Sequence, residues 1–319
     1  MTKYTSFMKD DIYEFIKYRK AAQNWNHGYE LYLKTFENYC SNNYDNPSEL
    51  TQEMVDSWCA KRDNEMNKSC NSRIAVVIAF LKYTNSRNIT NLAIPTHLKP
   101  EKYTYIPHAF TEIELSNFFF ACDHIELTNN SIMAKNQKIT IPVFFRLLYS
   151  TGMRTTEARL LKVEDVDLKD GIIDIKKSKG YSQHYVVLDN LMKEYLVKYN
   201  VEIDALYPNR TYFFPTKKDS FHPKSWVHIN FKKYWKLYND SYAIPYDLRH
   251  HYAITNINSW INKGIDFNDK LYYLSKSMGH SSIESTKYYY SLIPRMSDIF
   301  KTQINDTFNS LVPEVKNYE

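Results

Sequence analysis

Pro95, Pro100 and Pro107 fall within residues 94–110 and break the chain in two. Proline fixes its own φ and lacks a backbone donor, so no helix or ladder runs through such a stretch. It predicts an extended linker over residues 95–110, between a helical domain at 1–94 and a second domain at 111–319. A chain of 319 residues has room for two domains of ordinary size.

Residues 5–95 carry a helical pattern. Leu31, Phe36 and Tyr39 share one expected helix, and Ser48 or Thr51 can cap another that carries Met54, Val55 and Trp58. Between residues 71 and 83, Ile74, Val77, Ile78 and Leu81 fall at i, i+3, i+4 and i+7, an amphipathic stripe. Lys61, Arg62, Lys68, Arg73, Lys82 and Arg87 lie on or beside these helices. Such residues form either a solvated charged surface or a set of phosphate-backbone contacts.

Past the linker, Thr111 and Glu114 have capping-box spacing and open a helix through Leu115, Phe118 and Phe119. An apolar helix over residues 141–149 ends at Thr151-Gly152, and another begins near Thr155. Arg154 is thereby placed at a helix junction, with Glu157 able to reach back to it. Residues 171–188 predict a β-hairpin with Lys179 at its tip, and residues 212–214 a short edge strand. Helices are expected at 223–238, 246–262 and 268–277. A last one, over 295–309, carries Met296, Ile299, Phe300, Ile304 and Phe308 on one face. The expected fold class is mainly α with a small β-sheet.

Composition adds bounds. Six glycines serve the whole chain, and Gly152, Gly180 and Gly279 each lie beside a basic residue or histidine considered below. Cys40, Cys59, Cys70 and Cys122 have no CxxC spacing and form no cluster with histidine, so neither zinc nor a disulfide framework is expected. No apolar run approaches the roughly 20 residues of a membrane span, and the first residues lack the apolar core of a signal peptide. A cytoplasmic, nucleoid-associated location is expected. The net charge of +5 is compatible with nucleic acid without requiring it.

The stretch from Met278 to Tyr290 carries the sharpest chemistry. Ser281 and Glu284 have capping-box spacing, which predicts a helix from about Ser282. His280 then precedes a helix N-terminus, a place that favours anions. Three tyrosines follow at 288–290. A histidine, a helix N-terminus and a phenol aimed at one point suit a phosphate attacked by tyrosine oxygen. Among 28 tyrosines, three in a row are equally an aromatic packing face.

The order of motifs resembles the tyrosine recombinase family, also called phage integrases, in detail over residues 111–290 and loosely before them. Thr151-Gly152-Met153-Arg154 with Glu157 and Leu160-Leu161 resembles its first box, and Lys179 its hairpin lysine. Tyr246-Asp247-Leu248-Arg249-His250 is similar to a His-x-Leu-Arg-His box, and Met278-Gly279-His280 to a Leu-Gly-His box. The family's nucleophile lies nine residues past that histidine, which selects Tyr289.

The resemblance implies a two-domain clamp on double-stranded DNA. Arg154 and Arg249 would hold the non-bridging oxygens as permanently charged forks, and His280 would add a donor. Tyr289 would attack, and Lys179 would protonate the departing 5′ oxygen. The 3′-phosphotyrosine link conserves the bond energy, so no metal or other cofactor is expected. Tyr246 departs from the pattern, because it stands where the family has histidine and a neutral phenol is a poor base. Either Tyr246 only orients its neighbours, or His250 or His251 helps, or solvent takes the proton. Glu157 fits a partner of an arginine better than a catalyst. The resemblance also implies a homotetramer on DNA, with the 295–309 helix docking in trans, and leaves accessory DNA-bending proteins open as further partners. It leaves no room ahead of residue 5 for an added arm-binding domain. A type IB topoisomerase-like relaxing enzyme and a catalytically silent DNA-binding protein of the same fold are the competing readings.

Overall fold

The computed structural model describes residues 3–101, 106–127, 129–176, 183–260, 267–280 and 282–289. The chain divides into two compact units, Met1–Thr104 and Tyr105–Glu319.

The first unit is a four-helix arrangement of α1 (Lys9–Ala21), α2 (His27–Asn43), α3 (Gln52–Cys59) and α4 (Asn67–Ser86). Thr51 caps α3 by accepting from the Met54 N–H. The stripe of Ile74, Val77, Ile78 and Leu81 is buried, but α4 starts earlier and ends later than the periodicity alone predicts. Leu31 lies off the apolar face, 64% exposed, whereas Leu33 and Phe36 on the same helix are fully buried. Phe15, Phe36, Trp58 and Phe80 fill the core.

The stretch after α4 is extended, as the prolines require, but its first part is fastened. The Asn85 amide donates to the Leu92 carbonyl, and the Gln52 side chain accepts from the Ala93 N–H. Asn71 brackets Leu98, accepting from its N–H and donating to its carbonyl, and Asn67 donates to the Lys99 carbonyl. Side-chain amides thus satisfy backbone groups that no helix or strand serves.

The second unit begins with α5 (Glu112–Asp123), where Thr111 and Glu114 form the expected capping box. Then come α6 (Ile132–Thr151), α7 (Thr155–Leu160), β1 (Val166–Asp167), β2 (Ile172–Ile175), β3 (His184–Val187) and α8 (Asn190–Leu206). The last described elements are α9 (Lys224–Trp235), α10 (Asp247–Trp260), α11 (Phe267–Ser277) and α12 (Glu284–Lys287). The sheet is antiparallel in the order β1-β2-β3, with Ile173 opposite Val186 and Ile175 opposite His184. Ile173, Ile175 and Val186 point into a core built on Phe118, Phe144, Phe145, Phe231 and Trp235.

Two expectations are adjusted. Residues 212–214 are not an edge strand: Tyr212 makes a single bridge to Lys162, and Phe213 and Phe214 are both buried, which an alternating edge strand forbids. Helix α8 goes unforeseen, although Asp189 caps it and Met192, Leu196, Tyr199 and Ile203 bury one face. The Lys179 hairpin tip and the expected 295–309 helix lie outside the described residues. No described helix is long and apolar enough to cross a membrane.

Candidate active site

Two glycines create the site. Gly152 ends α6 in the left-handed conformation at φ 62°, and a Cβ there would come within 2.3 Å of the Tyr252 ring on α10. Gly279 turns the chain after α11, also at φ 62°, and its missing Cβ makes room for the His184 ring, 2.5 Å from where that atom would sit. Only glycine combines a positive φ with such close approach at no steric cost.

The two turns bring carbonyls inward, and two arginines hold them. Arg154, at the N-cap of α7, donates to the Gly279 carbonyl at 2.7 Å and to Glu157 Oε1 at 2.6 Å. Glu157 also accepts from the Arg154 backbone N–H, so it orients this arginine as the spacing predicts. Arg249, on the first turn of α10, is 2% exposed. It donates to the Gly152 and Met278 carbonyls, both at 2.7 Å. Its Nε–H is buried and meets no hydrogen-bond acceptor among the described residues, and no described carboxylate bonds to its guanidinium. Burial pushes its pKa down from the usual arginine range.

His280 Nε2 lies 2.9 Å from an Arg249 nitrogen, and Nδ1 lies 2.6 Å from Thr286 Oγ1. Guanidinium only donates, so Nε2 is the acceptor and the ring is neutral with its proton on Nδ1. Burial, with the charges of Arg249 and Arg154, pushes the His280 pKa down to about 3. This differs from the expected helix N-terminus. Helix α12 begins at Glu284, and the imidazole is engaged with Arg249 and Thr286. Ser281 lies outside the described residues.

Tyr289 is 3% exposed and packs with Ala253, Ile257, Leu271, Leu274 and Met278. Its ring is stacked 6.2 Å from His280 and lies 5.5 Å from His250. Burial raises its pKa to about 12, while the Arg249 charge pulls in the opposite direction. Tyr288 is turned out, 37% exposed, and Tyr290 lies outside the described residues. Tyr246 sits at the rim, edge-on to His250 at 5.0 Å. His250 is therefore a ring neighbour of both Tyr246 and Tyr289. His251 points elsewhere, stacked on Tyr149 and edge-on to Phe110, so it takes no part in this cluster. Arg154, Tyr246, Arg249, His280 and Tyr289 thus converge from α7, α10, the α11–α12 turn and the end of α12. Thr286 and His184 join them without having been singled out from sequence. No described group of histidine, cysteine or carboxylate side chains could hold a metal ion.

The model of the phage integrase family matches residues 119–295, more than half of the chain. This chain belongs to the phage integrase family. Among its relatives, the tyrosine recombinase XerD of Staphylococcus epidermidis is 24% identical over 95% of this chain and 98% of its own length. A tyrosine recombinase of Agathobacter rectalis is 26% identical over 70% of this chain and 71% of its own. The chain spans 59% and 60% of the length of two shorter matches, integrase/recombinase proteins of Sinorhizobium fredii and Acholeplasma phage L2. The fold is that of the solved structure of the XerH site-specific recombinase bound to difH substrate, with a TM-score of 0.59 at 19% identity over 85% of this chain and 78% of that one. A lambda integrase dimer bound to a COC′ core site gives a TM-score of 0.59 at 13% identity over 90% of this chain and 96% of that one.

The first unit of this integrase-family chain carries the other candidate residues. Arg73 is corrected: it is 3% exposed and cannot meet a phosphate. It donates to both oxygens of Glu65, at 2.9 and 2.7 Å, and to the Trp58 and Ala60 carbonyls. Arg73 thereby ties the end of α3 to α4. Lys61 pairs with Glu101 at 3.3 Å and stays half-exposed. The Arg62 guanidinium covers the Trp58 ring at 4.8 Å, and Arg87 lies over the Tyr83 ring at 3.9 Å and the Tyr18 ring at 5.0 Å. Lys68 and Lys82 are exposed on one face of α4, with the small residues Ala75 and Ala79 between them. On the second unit, Lys224, His228 and Lys232 repeat every four residues along the exposed side of α9.

Proposed function

We propose that this chain is a site-specific DNA recombinase that cuts and rejoins double-stranded DNA through a covalent link between Tyr289 and a 3′ phosphate. One observation carries the reading. A buried phenol, a neutral imidazole and two guanidinium groups converge, and one of the latter keeps a buried N–H that no described residue accepts from.

Attack on a phosphodiester adds charge to its non-bridging oxygens. Preorganised donors in a water-poor site stabilise that charge most. Arg249 offers its unpartnered Nε–H, and Arg154, held by Glu157, offers the second fork. The Tyr289 oxygen forms the new bond to phosphorus, and the 5′ oxygen leaves with a proton that Lys179 supplies. With burial holding the phenol at about 12, Tyr289 is protonated at neutral pH, and its proton leaves as the bond to phosphorus forms. Its proton passes toward His250 and Tyr246 or to solvent. Rejoining reverses each step, so the link itself conserves the energy.

Lys68, Lys82, Arg62 and Arg87 of the first unit, with Lys61 at its edge, supply phosphate contacts in this reading, and the α9 stripe supplies more. Assembly is a homotetramer on DNA, with residues 295–309 of each protomer docked on a neighbour. The support for it is the family membership and the apolar face on that segment. Sedimentation of the chain on duplex, with and without residues 295–309, tests the assembly.

The main test is covalent trapping. Wild type and Tyr289→Phe are incubated with nicked suicide duplexes taken from DNA flanking the gene and run on a denaturing gel. An adduct with wild type alone supports the reading, with duplex binding equal in both. An adduct in the variant removes Tyr289 as nucleophile. Binding without any adduct points to a silent DNA-binding protein, and plasmid relaxation without site preference to a topoisomerase.

A further inference from the structure

The proposed chemistry leaves one buried hydroxyl unused. Thr286 is fully buried on α12, and its Oγ1 lies 2.6 Å from His280 Nδ1. That contact belongs to a ring whose other nitrogen is also engaged, 2.9 Å from the Arg249 guanidinium. The imidazole is therefore clamped at both ends, by a group that can only donate and by a group that can donate or accept.

The asymmetry matters for the reaction. In the free protein Arg249 donates to Nε2, so Nδ1–H must donate to Thr286 Oγ1. When phosphate oxygens draw the Arg249 hydrogen bonds, Nε2 no longer has its donor. The useful form of His280 is then the other neutral tautomer, with Nε2–H aimed at a phosphate oxygen. In that form Nδ1 is an acceptor, and the Thr286 hydroxyl must turn and donate to it. A hydroxyl rotates in place, so the ring keeps its position through the exchange. The ring is only partly buried, so water takes the Nδ1 proton and supplies one to Nε2, and protons and charge balance.

We propose that Thr286 is a positioning residue for the recombinase reaction: its hydroxyl fixes the His280 ring and follows its tautomer, reversing from acceptor to donor as the phosphate arrives. Thr286 acts through His280, the residue its hydroxyl meets. The proposal rests on the reading of the site as a phosphotyrosine centre. Valine in its place keeps the shape and loses the hydroxyl, while serine keeps the hydroxyl and loses a methyl.

The test uses the full chain with ¹⁵N-labelled histidine, the His280 signals being assigned by comparison with His280→Gln. In free wild type and in Thr286→Ser the His280 ring should be neutral with a hydrogen-bonded proton on Nδ1, and Thr286→Val should keep the tautomer that Arg249 sets but lose the hydrogen-bonded Nδ1–H shift and the single ring position. On a suicide duplex that traps wild type, Thr286→Val should form adduct about 10–100-fold more slowly at unchanged duplex affinity, a loss typical of a group that orients a reacting one. Thr286→Ser should return to within about threefold of wild type, since it retains the charge-neutral hydrogen bond. Thermal melting of both variants separates this from a folding defect. A free wild-type ring protonated on Nε2, or a Thr286→Val that cleaves at the wild-type rate, overturns the proposal. Absence of any wild-type adduct sinks the recombinase reading instead, and the tautomer spectra still decide whether Thr286 holds the ring.

Discussion

Replacing Arg73 should destabilise the first unit without removing any of the proposed DNA contacts. The side chain is 3% exposed and gives two bonds to Glu65 and two to the carbonyls of Trp58 and Ala60 at the end of α3. Arg73→Met strands a largely buried carboxylate and two carbonyls. Removing one partner of a buried pair costs about 3–5 kcal/mol. A unit of this size gains about 5–15 kcal/mol from folding and shifts by roughly 4–8 °C per kcal/mol, so its melting should fall by about 20 °C. The double variant Glu65→Leu/Arg73→Met, which removes both charges, should recover most of that. The hydrogen bonds from Arg73 hold the Glu65 pKa at about 2, below the usual value of 4.5. A depressed carboxyl stabilises the folded form above its unfolded pKa. The contribution is therefore complete above about pH 4.5 and fades as pH falls toward 2. Denaturation followed by tryptophan fluorescence reads the stability, and duplex binding against salt reads the contacts. Each phosphate contact contributes about 0.9 to the salt slope. Lys82→Ala should leave stability alone and lower the slope by about that amount, whereas Arg73→Met below its melting point should leave the slope unchanged. A stable Arg73→Met chain with a reduced slope would refute this account.

Two further outcomes concern the site. Arg249→Lys should slow adduct formation by about 10²–10³-fold, because one ammonium cannot reach the Gly152 and Met278 carbonyls and a phosphate together; trapping kinetics with unchanged rates would remove Arg249 from the chemistry. Gly279→Ala should cost about 2–4 kcal/mol, from the left-handed turn and from a Cβ 2.5 Å from the His184 ring. Adding His184→Ala should restore part of that stability, and additive losses in thermal melts would show that the two do not touch.

Several local signals in the sequence hold because a residue's partner is near in the chain. Thr51, Thr111 with Glu114, and the Ile74–Leu81 stripe all act as their spacing says. Gly152 and Gly279 do take the positive φ that scarce glycines suggest. What escaped depends on distant partners. Nothing beside Arg73 distinguishes a surface cation from one that binds Glu65 and two carbonyls of another helix. Nothing beside His251 says that it faces Tyr149, while its neighbour His250 faces Tyr289. Thr286 becomes visible only once the α11–α12 turn carries His280 back onto it. Helix α8 is a different kind of miss, because its cap at Asp189 and its buried face were legible.

The fastening of residues 92–99 onto α3 and α4 bears on the order of events during synthesis. Every hydrogen bond described for the first unit is closed by residue 101, so that unit can fold while the rest is still being made. The reactive cluster is the reverse: it draws on Gly152, Arg154, Arg249, Met278, His280 and Tyr289, and it is complete only when the last of these has emerged. A growing chain should therefore gain its helical first unit well before it holds the assembled cluster around Arg249. Protease protection of stalled chains should reach residues 3–101 first, and early protection around Arg249 would contradict that order.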